Sequence, residues 1–213
     1  MHARRIIVAA ATSVFIASGM MALGGSAATA LASGRSIQCD GVVVLGHAPK
    51  TKVVVPSGAS CTLKNSTVKS VRGLPGAVDV KVYNTAVKRN LMVRHATGTV
   101  HIGDRDCGFD PSVGNNLIVR NSHNVLICVV QVRNNVMVRN NDGRITVREN
   151  HVGRNIRVNR NLAYSPHADE NPPPWAPGIR ILHNNAGGHI VARDNDSSRR
   201  VITRGNHPAV IIA

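Results

Sequence analysis

Three groups of residues in this chain have types and spacings that could do chemistry. The first is acidic: Asp104, Asp106 and Asp110 put three carboxylates within seven residues, beside Cys107. Oxygen ligands at that density can hold calcium, although a polar loop pinned by a disulfide would use the same residues with no metal. The second is Asp169-Glu170, set in a proline-rich run between Tyr164 and Trp175. Glycoside hydrolysis needs two carboxylates facing each other across the scissile bond. These two are neighbours in sequence, and no facing partner stands out. The aromatic pair could stack on a sugar ring or simply pin the loop.

The third group is basic. Arg94, Arg120 and Arg139 return at one register, Arg157 and Arg160 lie close to that register one repeat later, and Arg148 and Arg199-Arg200 are outliers. Guanidinium groups in a row repel one another unless an anion or a hydrogen-bonding neighbour compensates. A repeating polyanion would do so through charge-assisted contacts.

The elements that must position these arginines are legible in the repeats. Val87-Lys-Arg-Asn90-Leu-Met-Val returns as Val113-Gly-Asn-Asn116-Leu-Ile-Val, Val132-Arg-Asn-Asn135-Val-Met-Val and Val152-Gly-Arg-Asn155-Ile-Arg-Val. A second apolar run separates the copies: Val100-His-Ile102, Val125-Leu-Ile127 and Ile145-Thr-Val147. Strict apolar-x-apolar triplets are short strands with one buried face. Val113 to Val132 is 19 residues and Val132 to Val152 is 20, so two triplets make one turn. A fixed period of this size marks a solenoid whose coils bury their faces only against one another. The expected fold is therefore all-β: a parallel β-helix of about six to seven coils with roughly 20 residues each.

Stacking the repeats gives inward columns Leu91/Leu117/Val136/Ile156, Val93/Val119/Val138/Val158 and Val100/Val125/Ile145. Met92, Ile118, Met137 and Arg157 share one outward row, and Arg94, Arg120 and Arg139 share the next, continued by Asn159. His95, Asn121, Asn140 and Arg160 follow at a corner. Asn90, Asn116, Asn135 and Asn155 fall in register where the chain turns, and stacked asparagines can hydrogen-bond along the axis. Insertions at about 103–112 and 162–178 break the period and are expected to leave as loops from different corners.

Residues 1–32 read as a secretory signal peptide. Arg4-Arg5 precedes a long apolar run that closes on Ala30-Leu-Ala32, with cleavage after Ala30 or Ala32. Removing 32 of the 213 residues leaves 181, one domain spanning 33–213, with no transmembrane segment after cleavage. The formal charge falls from +15 to +13 as Arg4 and Arg5 leave. That field favours anionic polymers or serves solubility. Aromatic residues are scarce: Tyr83, Phe109, Tyr164 and Trp175 are all that remain beyond the leader. A core of stacked aliphatic rows does not need them, and base stacking on nucleic acid would.

All four cysteines lie beyond the leader, as befits an oxidising compartment. Four cysteines allow three pairings. Cys39–Cys61 and Cys107–Cys128 are 22 and 21 residues apart, about one coil each, so that spacing favours disulfides between adjacent turns.

These residues resemble the parallel β-helix families, the architecture of pectate-lyase-like enzymes and of many non-enzymatic repeats. More narrowly, Val53-Val-Val-Pro-Ser-Gly-Ala-Ser-Cys61-Thr-Leu and the Gly-Asn-Asn-Leu-x-Val phrase resemble small exported proteins of actinomycete-type bacteria. The resemblance covers roughly residues 39–206. It implies fold and export; the group has no assigned activity, so it lends no catalytic residues. The functional expectation is a secreted, non-catalytic protein that needs no cofactor and binds an anionic polysaccharide or envelope polymer, with nucleic acid disfavoured. An enzyme acting on acidic polysaccharide is the first alternative. A self-assembling surface protein, associating end to end through the apolar tail Pro208-Ala-Val-Ile-Ile-Ala213, is the second.

Overall fold

The computed structural model describes residues 28–29, 36–103, 111–162, 178–195 and 201–213. Every pairing between its strands is parallel, and the chain winds as a β-solenoid of about eight turns. That is one or two turns more than the six to seven expected from the repeats. In the first described coil Pro49 and Pro56 bound the apolar run, and the inward position between Lys50 and Lys52 is taken by Thr51, which weakens the alternation that marks the later coils.

Each turn has three walls. The first wall stacks Gly41–Val44, the start of Cys61–Gly73, the start of Val80–Val87, Val100–Ile102, His123–Cys128, Asp142–Arg148, Ile179–Leu182 and Val201–Arg204. The second is narrow. From the fourth coil onward it is built on two-residue strands such as Ser112–Val113, Gln131–Val132, His151–Val152 and Asn185–Ala186. The third stacks the end of Cys61–Gly73, Leu91–Arg94, Leu117–Arg120, Val136–Arg139, Ile156–Asn159, Ile190–Arg193 and Val210–Ile212. In the second coil the single strand Cys61–Gly73 bends through all three walls.

The two-triplet turn expected from the sequence is thus a three-strand turn. The valine that opens each repeat phrase supplies the missing wall: Val87, Val113, Val132 and Val152 form an inward column of their own and are buried. One inward residue per turn is too short a run to register as alternation.

The interior is aliphatic. Leu91, Leu117, Val136 and Ile156 pair in register and are fully buried, as are Val93, Val119, Val138 and Val158, and Val100 and Ile145 with Val125 beside them. Burying each such side chain contributes about 1.5–3 kcal/mol. A coil buries its own side chains only with a coil above and below, so this stabilisation depends on stacking rather than on any single strand.

Polar groups also run through the interior. At the corner from third to first wall, Ser122, Asn141 and Asn161 are buried and chained to Asn195. Asn141 Oδ1 accepts from the Ser122 N–H at 3.0 Å, and Asn141 Nδ2 donates to Asn161 Oδ1 at 3.0 Å. At the corner from first to second wall, Asn150 and Asn184 continue to Asn206 in the same manner. The residue before each of these corner asparagines has positive φ: Asn140 (53°), Glu149 (56°), Arg160 (53°) and His183 (51°) before the buried ones, and Asp194 (52°) before half-buried Asn195. The left-handed residue turns the chain, and the following amide satisfies backbone groups that the turn would strand. Two left-handed corners per coil therefore carry the solenoid.

Cys39 and Cys61 are disulfide-bonded, with Cα atoms 5.4 Å apart on successive coils. Cys128 is also disulfide-bonded; Cys107, its expected partner, lies outside the described residues. So do most of the leader, both insertions apart from their flanks, Asp104, Asp106, Asp110, Tyr164, Asp169, Glu170, Trp175 and the Arg199-Arg200 pair. Ala28–Thr29, within the expected leader, pairs with Val43–Val44. The described flanks of the two insertions lie at different corners: Gly103 and Pro111 where the first wall meets the second, Leu162 and Gly178 where the third meets the first. Among the described residues no helix is long and apolar enough to cross a membrane.

Candidate functional site

The third wall presents three rows to the outside, each set by strand register. Along the strand, side chains alternate in and out, so residues two apart face the same way at about 6.6 Å, while successive coils repeat at about 4.8 Å. The middle row runs Arg72, Met92, Ile118, Met137, Arg157 and Val191. Met92, Ile118 and Met137 are half-buried, and Arg72 and Arg157 are exposed at either end.

Two residues further along the strands comes the arginine row. Arg94 pairs with Arg120, Arg120 with Arg139, Arg139 with Asn159 and Asn159 with Arg193. Arg94 is exposed, whereas Arg120 and Arg139 are half-buried. Like charges at strand spacing cost energy, and a carboxylate neighbour would normally offset it. Among the described residues the ion pairs are Lys81–Asp79, His123–Asp142 and Arg160–Asp194, so none reaches the arginine row. Arg120 is the least satisfied of its members. Its Nη2 lies 3.1 Å from the Met137 Sδ, a weak acceptor, and its Nε–H is buried without a partner. Asn159 Oδ1, two coils on in the same row, is also buried without a partner.

Arg157 and Arg160 separate from this row. Arg157 belongs to the middle row. Arg160 sits at the left-handed corner, where its Nε is 3.6 Å from an Asp194 carboxylate oxygen. Arg148 lies on the first wall, with its Nε 3.1 Å from Cys128 Sγ.

On the other side of the middle row, Asn90, Asn116, Asn135 and Asn155 form a ladder. The Nδ2 of each of the last three donates to the Oδ1 of the one before, at 3.5, 3.0 and 3.2 Å, and the Asn155 Oδ1 accepts from the His189 N–H. The buried corner amides described above escaped sequence reading. Asn141, Asn161, Asn184, Asn195 and Asn206 each stand one residue after a left-handed position, a backbone property that the preceding residue types do not mark.

A shallow groove of about 500 Å³ beside the arginine row is lined by Asn121, Asn140, Asn141, Asp142, Arg160, Leu162 and Asp194. It holds two carboxylates, each already matched: Asp142 to His123 Nδ1 at 2.9 Å and Asp194 to Arg160. Among the described residues no three His, Cys, Asp or Glu side chains cluster closely enough to hold a metal. On the first wall, Tyr83 Oη and His101 Nδ1 are 3.2 Å apart, with the two rings edge to face.

No protein-family profile matches this chain, no curated protein matches it, and no solved structure matches it. The fold therefore rests on its own strand register, and the comparisons lend no support to the narrower resemblance to exported actinomycete-type proteins.

Proposed function

We propose that this is an exported, non-catalytic binding protein whose third wall holds an anionic polymer lying along the solenoid axis. The observation that carries this reading is the state of Arg120. Its guanidinium has only a thioether sulfur and no acceptor for Nε–H, in a row of cations with no described carboxylate in reach. A carboxylate or phosphate that drew this side chain off Met137 would satisfy Nε and Nη2 together in a bidentate contact. Arg94 and Arg139, one coil away on either side, would meet the next charges of the same polymer. The Cys39–Cys61 disulfide supports an oxidising compartment, and the apolar leader supplies the route. The ligand would accordingly be a component of the cell envelope or its surroundings.

The test is size-exclusion chromatography of uronate polysaccharide, teichoic acid and DNA, each mixed with the protein at low and high salt. The expected result is that a polymer elutes earlier with the protein at low salt, and that Arg94→Ser/Arg120→Ser/Arg139→Ser abolishes the shift. Equal binding by the triple variant would overturn the assignment to this row. A polymer that elutes later has been cut, which would replace binding with catalysis.

A further inference from the structure

We infer that the polymer is an acidic glycan, bound by its ring faces as well as by its charges. This rests on the binding reading above and assigns the ligand class for the same wall. The third wall offers three parallel rows along the axis: amides (Asn90, Asn116, Asn135), an apolar strip (Met92, Ile118, Met137) and guanidinium groups (Arg94, Arg120, Arg139). Arg72 and Arg157 close the strip at its two ends.

A site meant for charge alone has no use for an apolar row at its centre. Three half-buried aliphatic and thioether side chains flanked by cations suit a ligand with negative charge on one edge and C–H surface across its middle. A uronic-acid chain has that form: a carboxylate on each ring, a weakly polar ring face and hydroxyls on the far edge. The hydroxyls would meet the asparagines, because Asn116 and Asn135 each spend one of their two amide N–H groups in the ladder and each retains a second. A phosphate polymer lacks the ring face. A membrane surface would call for side chains that protrude and insert several ångströms, whereas Met92, Ile118 and Met137 are half-covered by their neighbours. Arg120, lying across Met137, would be lifted by the first carboxylate and so uncover the strip.

The experiment titrates the full protein with three probes: linear polygalacturonate, inorganic polyphosphate of matched charge, and phosphatidylglycerol vesicles. The variant Met92→Gln/Ile118→Thr/Met137→Gln removes the strip at outward strand positions, and Met137→Leu serves as the apolar control, with circular dichroism confirming the fold of each. The expected result is an affinity for polygalacturonate that falls about tenfold or more, ~1.4 kcal/mol, in the strip variant and is kept in Met137→Leu, while polyphosphate binding is unchanged by either. Equal losses for both polymers, or no loss for polygalacturonate, would overturn the glycan assignment while leaving the arginine row as an anion binder. Vesicle binding stronger than polygalacturonate binding would overturn it in favour of a membrane surface. If no probe binds the unmodified protein, the binding reading falls together with this one.

Discussion

Arg120 reaches one coil along the solenoid to place Nη2 3.1 Å from the Sδ of Met137, and in doing so buries its Nε–H where nothing accepts it. A buried donor without a partner costs about 1–3 kcal/mol. The arginine is therefore a poor choice for stability at a half-covered strand position that a leucine would fill well.

Stability and binding should separate at this residue. Arg120→Leu is expected to leave the chemical-denaturation midpoint unchanged or raise it, by up to about 1 kcal/mol of added stability, while weakening polymer binding. A clear loss of stability would mean that the guanidinium holds the wall together, and Arg120 would then be a structural residue.

The two kinds of asparagine row should differ in cost. Asn141 is buried and fully engaged. It accepts from the Ser122 N–H and donates to Asn161 Oδ1 and to the Val119 carbonyl. Asn141→Leu would strand those groups inside, each at about 1–3 kcal/mol. Asn116 is half-buried, and solvent can replace what Asn116→Ala removes, so about 1 kcal/mol is expected there. Urea titrations of the two variants compare them directly; equal losses would contradict the distinction.

That contrast also shows what could be read from the sequence. The row Asn90, Asn116, Asn135, Asn155 was visible because it recurs inside a phrase with strong apolar alternation. Asn141, Asn161 and Asn184 stand in corners where the residue before them varies from Asn to Arg to His. Only backbone conformation unites those positions, and the side chain at a left-handed corner is free to vary once the following amide is in place. The inward columns were legible for the reason the second wall was not: a four-residue strand shows its period, and a two-residue strand has none to show. The middle and arginine rows followed from register once the columns were aligned. The lack of any acceptor for Arg120 Nε depends on side-chain packing between coils, which spacing does not encode. Asp104, Asp106, Asp110, Tyr164, Asp169, Glu170 and Trp175 lie outside the described residues.

The disulfide between Cys39 and Cys61 joins the first coils over a separation of 22 residues. Closing a loop of that size in the unfolded chain is worth about 3 kcal/mol. Cys39→Ala/Cys61→Ala is expected to lower stability by that order and to loosen the first coils before the later ones. Hydrogen exchange would show it as faster exchange at Val53 and Val55 than at Val136 and Val138. Uniform acceleration along the chain would instead mean that the coils unfold as one unit.

Val129 is the one left-handed corner residue among the described positions that is β-branched, with φ at 51°. Its counterparts in the same corner include Asn65, Asn84, Glu149 and His183, also at positive φ, and Gly205. A branched side chain at positive φ crowds its own backbone, at a cost of about 1–2 kcal/mol. Asparagine tolerates this conformation far better. The half-buried methyl groups of Val129 return part of that cost, so Val129→Asn is expected to stabilise the protein by about 1 kcal/mol net. Val129→Thr keeps the branch and should gain nothing, which makes it the control. Should the asparagine variant melt at or below the temperature of the threonine variant, packing at this corner outweighs backbone strain. The column of left-handed residues would then be set by what surrounds it rather than by the turn itself.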